Sequence, residues 1–166
     1  MRARTICTVL FLSILVSFVS LAGAYGGDYE ALKGLKEIKA VFDIRIAEPK
    51  SALVHLKLVH QTFLDKDLRA VSKNPSFVVV FIGPSVKLIS NNKEGFSPED
   101  QKVLDEIAGT LSDMSKDGIE LEVCLFAAKL LGVDPASILP GIKQVGNGWI
   151  SEIGYQAKGY SLVPAY

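Results

Sequence analysis

An apolar segment near the middle of the chain, residues 76–82 (SFVVVFI), most limits how this sequence can fold. It is rich in β-branched and aromatic residues and too short for a buried helix, so it predicts a β-strand. A strand with one solvent-facing side would alternate apolar and polar residues, whereas this segment has no polar position after Ser76. The pattern is typical of a strand covered on both faces, as in a parallel sheet packed between helices.

Strand and helix patterns alternate on both sides of this segment. Pro49 begins an amphipathic helical stripe, and Ser97 with Pro98 marks the start of another helix, which Gly118 ends. The predicted strands are 39–46, 76–82, 119–124, 142–145 and 160–163, and the predicted helices are 49 to about 68, 98–117, 125–131 and 147–158. The expected fold class is therefore α/β: one three-layer domain with a roughly five-stranded, mostly parallel sheet, flavodoxin-like in its winding, and helices on both faces.

The N-terminus has the composition of a secretory signal peptide. Two arginines precede an apolar stretch at residues 6–21, and an Ala-Gly-Ala sequence ends at Ala24. Signal peptidases recognise such a small-x-small pattern, so cleavage after Ala24 and an exported, periplasmic protein are expected. The alternative is an uncleaved membrane anchor, since the uncharged stretch is just long enough to cross a bilayer. The expected organisation is a signal peptide at 1–24, a flexible lead-in at 25–37 and the folded domain at 38–166.

Charge and cysteine content exclude several classes of function. The chain has 18 Lys plus Arg and 18 Asp plus Glu, so it lacks the basic surplus of a nucleic-acid-binding or anionic-membrane-binding protein. Two histidines and two cysteines are too few for a Cys/His metal cage, and neither a metal nor another cofactor is predicted. Cleavage would remove Cys7 and leave Cys124 as the only thiol, without an intramolecular disulfide partner.

Ligands of open α/β sheets bind beyond the C-terminal ends of the strands, so the strand-to-helix junctions are the candidate sites. Cys124 ends one strand directly before a helix, where the helix dipole and free N–H groups would stabilise a thiolate. The alternative is a structural cysteine, because free cysteine is among the most buried residue types. The other junctions supply candidate pocket-lining residues: Gly83, Pro84, Ser85, Gly146, Asn147 and Gly148.

Neither glycine-containing junction carries a complete nucleotide-binding motif. Residues 146–148 begin like G-x-G-x-x-G, but Ser151 stands in place of the third glycine, and residues 83–85 lack the lysine of a phosphate-binding loop. A tight turn with Asn147 as a helix cap accounts for the first junction. His55 and His60 point in different directions from one helix, so packed core or interface histidines are expected rather than a metal site or a catalytic base.

Several blocks of the sequence resemble the DsrE/DsrF-like family of small sulfur-relay proteins, over residues 39–166. They are residues 77–88 (FVVVFIGPSVKL), residues 119–124 (IELEVC), and the single positions Ala127, Gly132, Val145, Gly148, Gln156, Gly159, Tyr160 and Pro164. The resemblance implies a five-stranded parallel fold, assembly into trimers or hexamers, and a persulfide-carrying cysteine, whose position Cys124 occupies. The family often has a histidine where this chain has Ile82, and its best-understood members act in the cytoplasm.

The expected function is that of an exported sulfur carrier, similar to a sulfurtransferase. The Cys124 thiolate would accept a sulfane sulfur from a donor and pass it to an acceptor protein, while residues 83–85 and 146–148 line the pocket. The alternative is a non-catalytic oligomeric module that binds a small ligand or a protein, with Cys124 structural. Nucleic acid is not an expected partner, and membrane contact is expected only through an uncleaved signal.

Overall fold

A computed structural model describes residues 29–166 of the chain. The expected signal peptide, the cleavage site after Ala24 and Cys7 lie outside the described residues. Among the residues described, no helix is long and apolar enough to span a membrane. The described chain begins with a single 3-10 turn, Glu30–Leu32, within the expected lead-in.

Strands and helices alternate along the rest of the described chain, as predicted. The strands are β1 (Lys39–Ile44), β2 (Ser76–Phe81), β3 (Glu120–Cys124), β4 (Lys143–Val145) and β5 (Ser161–Ala165). The α-helices are α1 (Pro49–Leu64), α2 (Lys66–Val71), α3 (Pro98–Lys116), α4 (Leu125–Leu130) and α5 (Gly148–Ala157), and further 3-10 turns span Gly83–Ile89 and Pro135–Ser137.

The five strands form one sheet in the order β4-β3-β2-β1-β5, and every neighbouring pair is parallel. The first four strands progress across the sheet in one direction, and β5 returns to the far side of β1. Since right-handed crossovers that run in opposite directions place their helices on opposite faces, α1 and α3 lie on one face and α5 on the other. The predicted α/β class, with helices on both faces of a parallel sheet, is confirmed.

The face under α1 and α3 forms the apolar core. The rings of Phe42 and Phe77 pack 5.0 Å apart, and Phe63 of α1 meets Phe77 edge-on at 5.3 Å. Ile107 and Met114 of α3 are fully buried on the same side of the protein. The amphipathic stripes read from the sequence therefore give the packing of both helices against the sheet.

The prediction of one helix from Pro49 to about residue 68 is wrong, because the chain turns at Asp65. The Asp65 carboxylate accepts hydrogen bonds from the backbone N–H groups of Asp67 and Leu68, at 2.9 and 3.1 Å. These bonds cap a second helix, α2, and end α1 at Leu64. The turn adds an element that the apolar spacing alone does not reveal.

The last strand continues to Ala165, past its expected end at residue 163, although it contains a proline. The carbonyl of Ala165 accepts the N–H of Arg45 at 3.1 Å and so faces β1. Alternate residues of a parallel strand point their backbone groups to opposite sides, which directs Pro164 to the free edge. Its missing N–H therefore removes no bond to β1, and a proline on this edge discourages the addition of another strand.

Candidate functional site

The sheet face under α5 carries polar side chains in two successive rows. Asp43 of β1 and Glu122 of β3 lie in one row, on either side of β2. In the next row, at the C-terminal edge, the register places Ile82 between Arg45 and Cys124. Because side chains alternate along a strand, all five point toward α5.

Cys124 lies at the end of β3, beneath the first turn of α5. It is 3% exposed and packs in the hydrophobic core. A Cβ atom added to Gly148 would lie 3.1 Å from the Cβ of Cys124 and 2.8 Å from the Cδ1 of Ile82. The absence of a side chain at Gly148 thus lets α5 lie directly on the cysteine, which is closed off from solvent in this conformation.

The helix that follows Cys124 begins where the sequence predicts, but it has only six residues. The N–H of Phe126 in its first turn donates to the carbonyl of Gly146, at 3.1 Å. This bond ties the junction after β3 to the junction after β4, so that N–H group is not free for a thiolate. The helix that covers the cysteine is α5, which Asn147 caps as predicted by accepting the N–H of Trp149 at 3.0 Å.

The predicted pocket residues after β2 have different surroundings. Ser85 is fully buried, and its hydroxyl lies 2.6 Å from the carbonyl oxygen of Ile44 and 3.0 Å from that of Ile82. It therefore holds the ends of β1 and β2 together. Gly83 adopts a φ of +62°, which favours glycine at the turn out of β2, and Pro84 is exposed.

The predicted residues after β4 divide between the surface and the interior. Gly146 and Asn147 are exposed, whereas Gly148 is buried against Cys124. Of the predicted pocket residues, Gly148 is thus the one that the fold brings into contact with the cysteine. None of five surface cavities in the described chain includes Cys124 in its lining.

A cavity of about 200 Å³ opens between β3, β4 and α5, beside the row of side chains that contains Cys124. Glu122 in its wall is 1% exposed and accepts hydrogen bonds from the hydroxyl of Ser151, the phenol of Tyr155 at 3.0 Å and the ammonium of Lys143 at 3.2 Å. Burial and the contact with Glu122 raise the pKa of Tyr155 above its ordinary value. Tyr155 therefore remains a hydrogen-bond donor, and it anchors the second half of α5 to β3.

A second buried acidic group lies on the β1 side of α5. Both carboxylate oxygens of Asp43 accept from the Nε of Arg45, at 2.9 and 2.8 Å. Glu152 of α5 faces the same guanidinium at 4.0 Å, while its Oε1 atom is buried without a hydrogen-bond partner. Burial and the charge of Asp43 raise the pKa of Glu152 to about 7, against the opposing effect of Arg45. One guanidinium thus faces two carboxyl groups, of which Glu152 holds a proton up to neutral pH.

The sequence pattern does not single out Asp43, Arg45 and Glu152 as a cluster. Asp43 and Arg45 occupy the polar positions of an alternating strand, a pattern equally typical of a solvent-facing side. Only α5, more than 100 positions along the chain, covers them. The predicted parallel sheet with helices on both faces nevertheless indicates such a cluster, because polar residues in its strands must be buried and therefore paired.

Neither histidine belongs to this site. The Nε2 of His60 lies 2.6 Å from Asp117, and the Nδ1 of His55 lies 2.8 Å from the carbonyl of Ser51. Each histidine therefore has a structural partner. Within residues 29–166, no group of three or more His, Cys, Asp or Glu side chains is placed to hold a metal ion.

A family model and two solved structures match this chain. The model of the DsrE/DsrF-like family matches residues 58–164. Two solved structures are similar in fold: the protein of unknown function MTH1491 from Methanobacterium thermoautotrophicum and the ychN protein from E. coli. The first is 18% identical with a TM-score of 0.59, covering 77% of this chain and 99% of its own. The second is 13% identical with a TM-score of 0.50, covering 78% and 99%. No curated protein matches in sequence.

Replacing Gly148 by alanine should destabilise the protein by about 1–3 kcal/mol, because the added methyl would lie closer to Ile82 and Cys124 than ordinary van der Waals contact allows. Gly154 of the same helix has no neighbouring atom within 4 Å of the added position, so Gly154→Ala should stabilise by about 0.5–1 kcal/mol through helix propensity. Denaturant unfolding of both variants measures the difference. Equal effects of the two substitutions would contradict the close packing of α5 on Cys124.

Glu152→Gln should be more stable than the wild type above neutral pH and similar to it in acid. The pKa of Glu152 is raised from 4.5 to about 7 by folding, so its ionisation opposes the folded state as pH rises through that interval. Once Glu152 is fully ionised, the free energy of unfolding of the wild type is lower by about 3 kcal/mol. Unfolding free energies at several values from pH 4 to pH 8 test this, and a constant difference between variant and wild type would contradict it.

Proposed function

Because the chain belongs to the DsrE/DsrF-like family, which is linked to sulfur relay in general, we propose that it is a sulfur carrier whose Cys124 holds the transferred sulfur as a persulfide. The observation that carries the proposal is the place of Cys124. It is the single cysteine of the described residues, and it stands at the C-terminal end of a central strand, beneath the N-terminal turn of α5. This is the edge at which parallel α/β sheets hold their reactive groups.

The proposed transfer is a thiol exchange without net oxidation. The Cys124 thiolate attacks the outer sulfur of a donor persulfide or polysulfide, so that a new S–S bond forms, the donor's S–S bond breaks, and the donor leaves as a thiolate. An acceptor thiolate then attacks the outer sulfur of the Cys124 persulfide. That step transfers the sulfur and restores the Cys124 thiolate.

Parts of the site support this chemistry. The N-terminal end of α5 carries a partial positive charge, which favours an anionic sulfur below it. Gly148 leaves that end of the helix without a side chain above the cysteine. Gly83, Pro84, Gly146 and Asn147 border the edge from which a donor would approach. Since Cys124 is 3% exposed, transfer requires the first turn of α5 to move aside.

The compartment and the partners also belong to the proposal. The arginines, the apolar stretch and the Ala-Gly-Ala sequence within residues 1–24 support export to the periplasm. There a sulfur donor and an acceptor protein would meet the carrier. A thiol without an intramolecular partner is compatible with transient mixed bonds to such proteins.

We further propose that the carrier is a homo-oligomer, a trimer or hexamer, assembled through the outer side of α5. Trp149, Ile150 and Ile153 lie on one side of this helix and are 57%, 69% and 65% exposed. Phe126 and Leu130 of α4 are likewise exposed, at 67% and 74%. Apolar surface of this extent is typical of protein–protein contacts.

A second candidate function rests on the burial of Cys124. A cysteine that packs with Ile82 in the hydrophobic core can be a structural residue, and the protein would then be an oligomeric binding module without sulfur chemistry. Thiol reactivity separates the two functions. An alkylating reagent that modifies Cys124 only after denaturation would favour the binding module.

Exposure of the native protein to polysulfide should add the mass of one or more sulfur atoms to the peptide that contains Cys124, and the addition should be reversible by a reducing thiol. Cys124→Ser should acquire none at that peptide, because no thiolate remains there. Peptide mass spectrometry measures both. Absence of added sulfur on the wild type, or equal addition to the variant, would contradict the carrier function.

Ile150→Glu should reduce the oligomer to a smaller species, because it places a carboxylate within the proposed apolar contact. Ser112→Glu, which adds the same group at an exposed position of α3, should leave the assembly unchanged. Sedimentation equilibrium gives the masses of both variants and of the wild type. A monomeric wild type, or equal masses for all three, would contradict assembly through α5.

A further inference from the structure

We infer that Glu152 is a positioning residue that acts as a proton-dependent latch on Cys124. In its neutral form Glu152 holds α5 down over the thiol, and in its ionised form it releases the first turn of the helix and opens access to the sulfur. The inference rests on the proposed role of Cys124 and adds to it a control by pH.

The latch depends first on the position of Glu152 along α5. Gly148 and Glu152 are four residues apart, one helical turn, and therefore face the same way. Both are buried against the sheet. Gly148 lies on Cys124 and Ile82, while Glu152 reaches the row that contains Asp43. Any force that lifts Glu152 from the sheet therefore acts on the turn that closes the cysteine.

The second step is the incomplete pairing of the Glu152 carboxyl. It is 6% exposed, and its Oε1 has no hydrogen-bond partner. The Nε of Arg45 is engaged by both oxygens of Asp43, and its Nη2 approaches Glu152 only to 4.0 Å, while the contact with the Asp43 carboxylate favours the protonated form of Glu152. A neutral carboxyl tolerates this environment better than a carboxylate, because a buried charge requires a partner and lies here beside a like charge. The free-energy cost of the buried carboxylate is removed when the group moves out to water.

Other groups around α5 direct the opening to its N-terminal end. Tyr155 donates to Glu122 at 3.0 Å and lies 3.1 Å from Glu120, which holds the second half of the helix to β3. The strand β2 presents only apolar side chains here. The titratable and charged groups on α5, or in contact with it or with the groups it covers, are Asp43, Arg45, Glu120, Glu122, Cys124, Lys143, Tyr155, Lys158, Tyr160 and Tyr166.

The pKa of Glu152, which burial and the charge of Asp43 raise to about 7, places the release in the neutral range. In the open, exposed state the pKa of Glu152 would return to 4.5. This difference allows the equilibrium constant for opening to increase by up to about two orders of magnitude between acid and mildly alkaline pH. Opening would thus increase with rising pH.

The test measures the rate at which iodoacetamide alkylates Cys124 between pH 5 and pH 9. Peptide mass spectrometry reports that residue alone, in the full chain and at a concentration with one assembly state. In the wild type the rate should rise through neutral pH more steeply than thiol ionisation allows, by about 10- to 100-fold. Glu152→Gln should lose this extra rise and stay slow. Glu106→Gln, which removes an exposed carboxylate from α3, should behave as the wild type.

Hydrogen exchange gives a second readout that needs no variant. Protection factors of the amides at 148–152 should fall as pH rises through 7 in the wild type, whereas those of α3 should not. Equal alkylation profiles in the wild type and Glu152→Gln, or protection independent of pH, would overturn the latch. Neither measurement uses a sulfur donor. A working latch without persulfide formation would refute only the carrier function, and persulfide formation without pH-dependent access only the latch.

Discussion

The docking of α5 on a partly polar sheet face is the interaction on which the functional part of this protein depends. A central strand of a parallel sheet usually presents apolar residues on both sides, as β2 does. Its neighbours β1 and β3 instead present Asp43 and Glu122, both 1% exposed. Buried carboxyl groups need partners, and Arg45, Ser151 and Tyr155 supply them. Ser151 and Tyr155 thus fasten α5 to β3 by hydrogen bonds, while Glu152 lies against the Asp43–Arg45 pair on the β1 side.

Because of this arrangement, the surroundings of the Cys124 thiol depend on the position of α5. Cys124 stands in the row next to Asp43 and Glu122, and the helix that packs over those acids also closes the cysteine through Gly148. The short helix after Cys124 contributes less than its position suggests, since Phe126 uses its N–H for Gly146. Under the proposed function, access to Cys124 depends on how readily α5 moves.

The outer side of α5 would link the site to the proposed assembly. Ile150 and Ile153 face away from the sheet and are more than half exposed, on the helix whose inner side carries Gly148 and Glu152. A contact between copies on that outer side would sit one helix thickness from the thiol. Assembly and access to Cys124 would then be coupled through the same ten residues.

Much of the fold follows from the sequence, because local patterns carry it. The apolar run at residues 76–82, the caps at Ser97 and Asn147 and the alternation of periods predict the parallel sheet, its helices and the place of Cys124 at a strand end. Local patterns do not predict the turn at Asp65, since the apolar stripe continues through it. What only the tertiary structure decides is which distant residues meet: Glu152 with Asp43, and Gly148 with Cys124. Those contacts depend on the return of the chain across the sheet between β4 and β5, which no local spacing records.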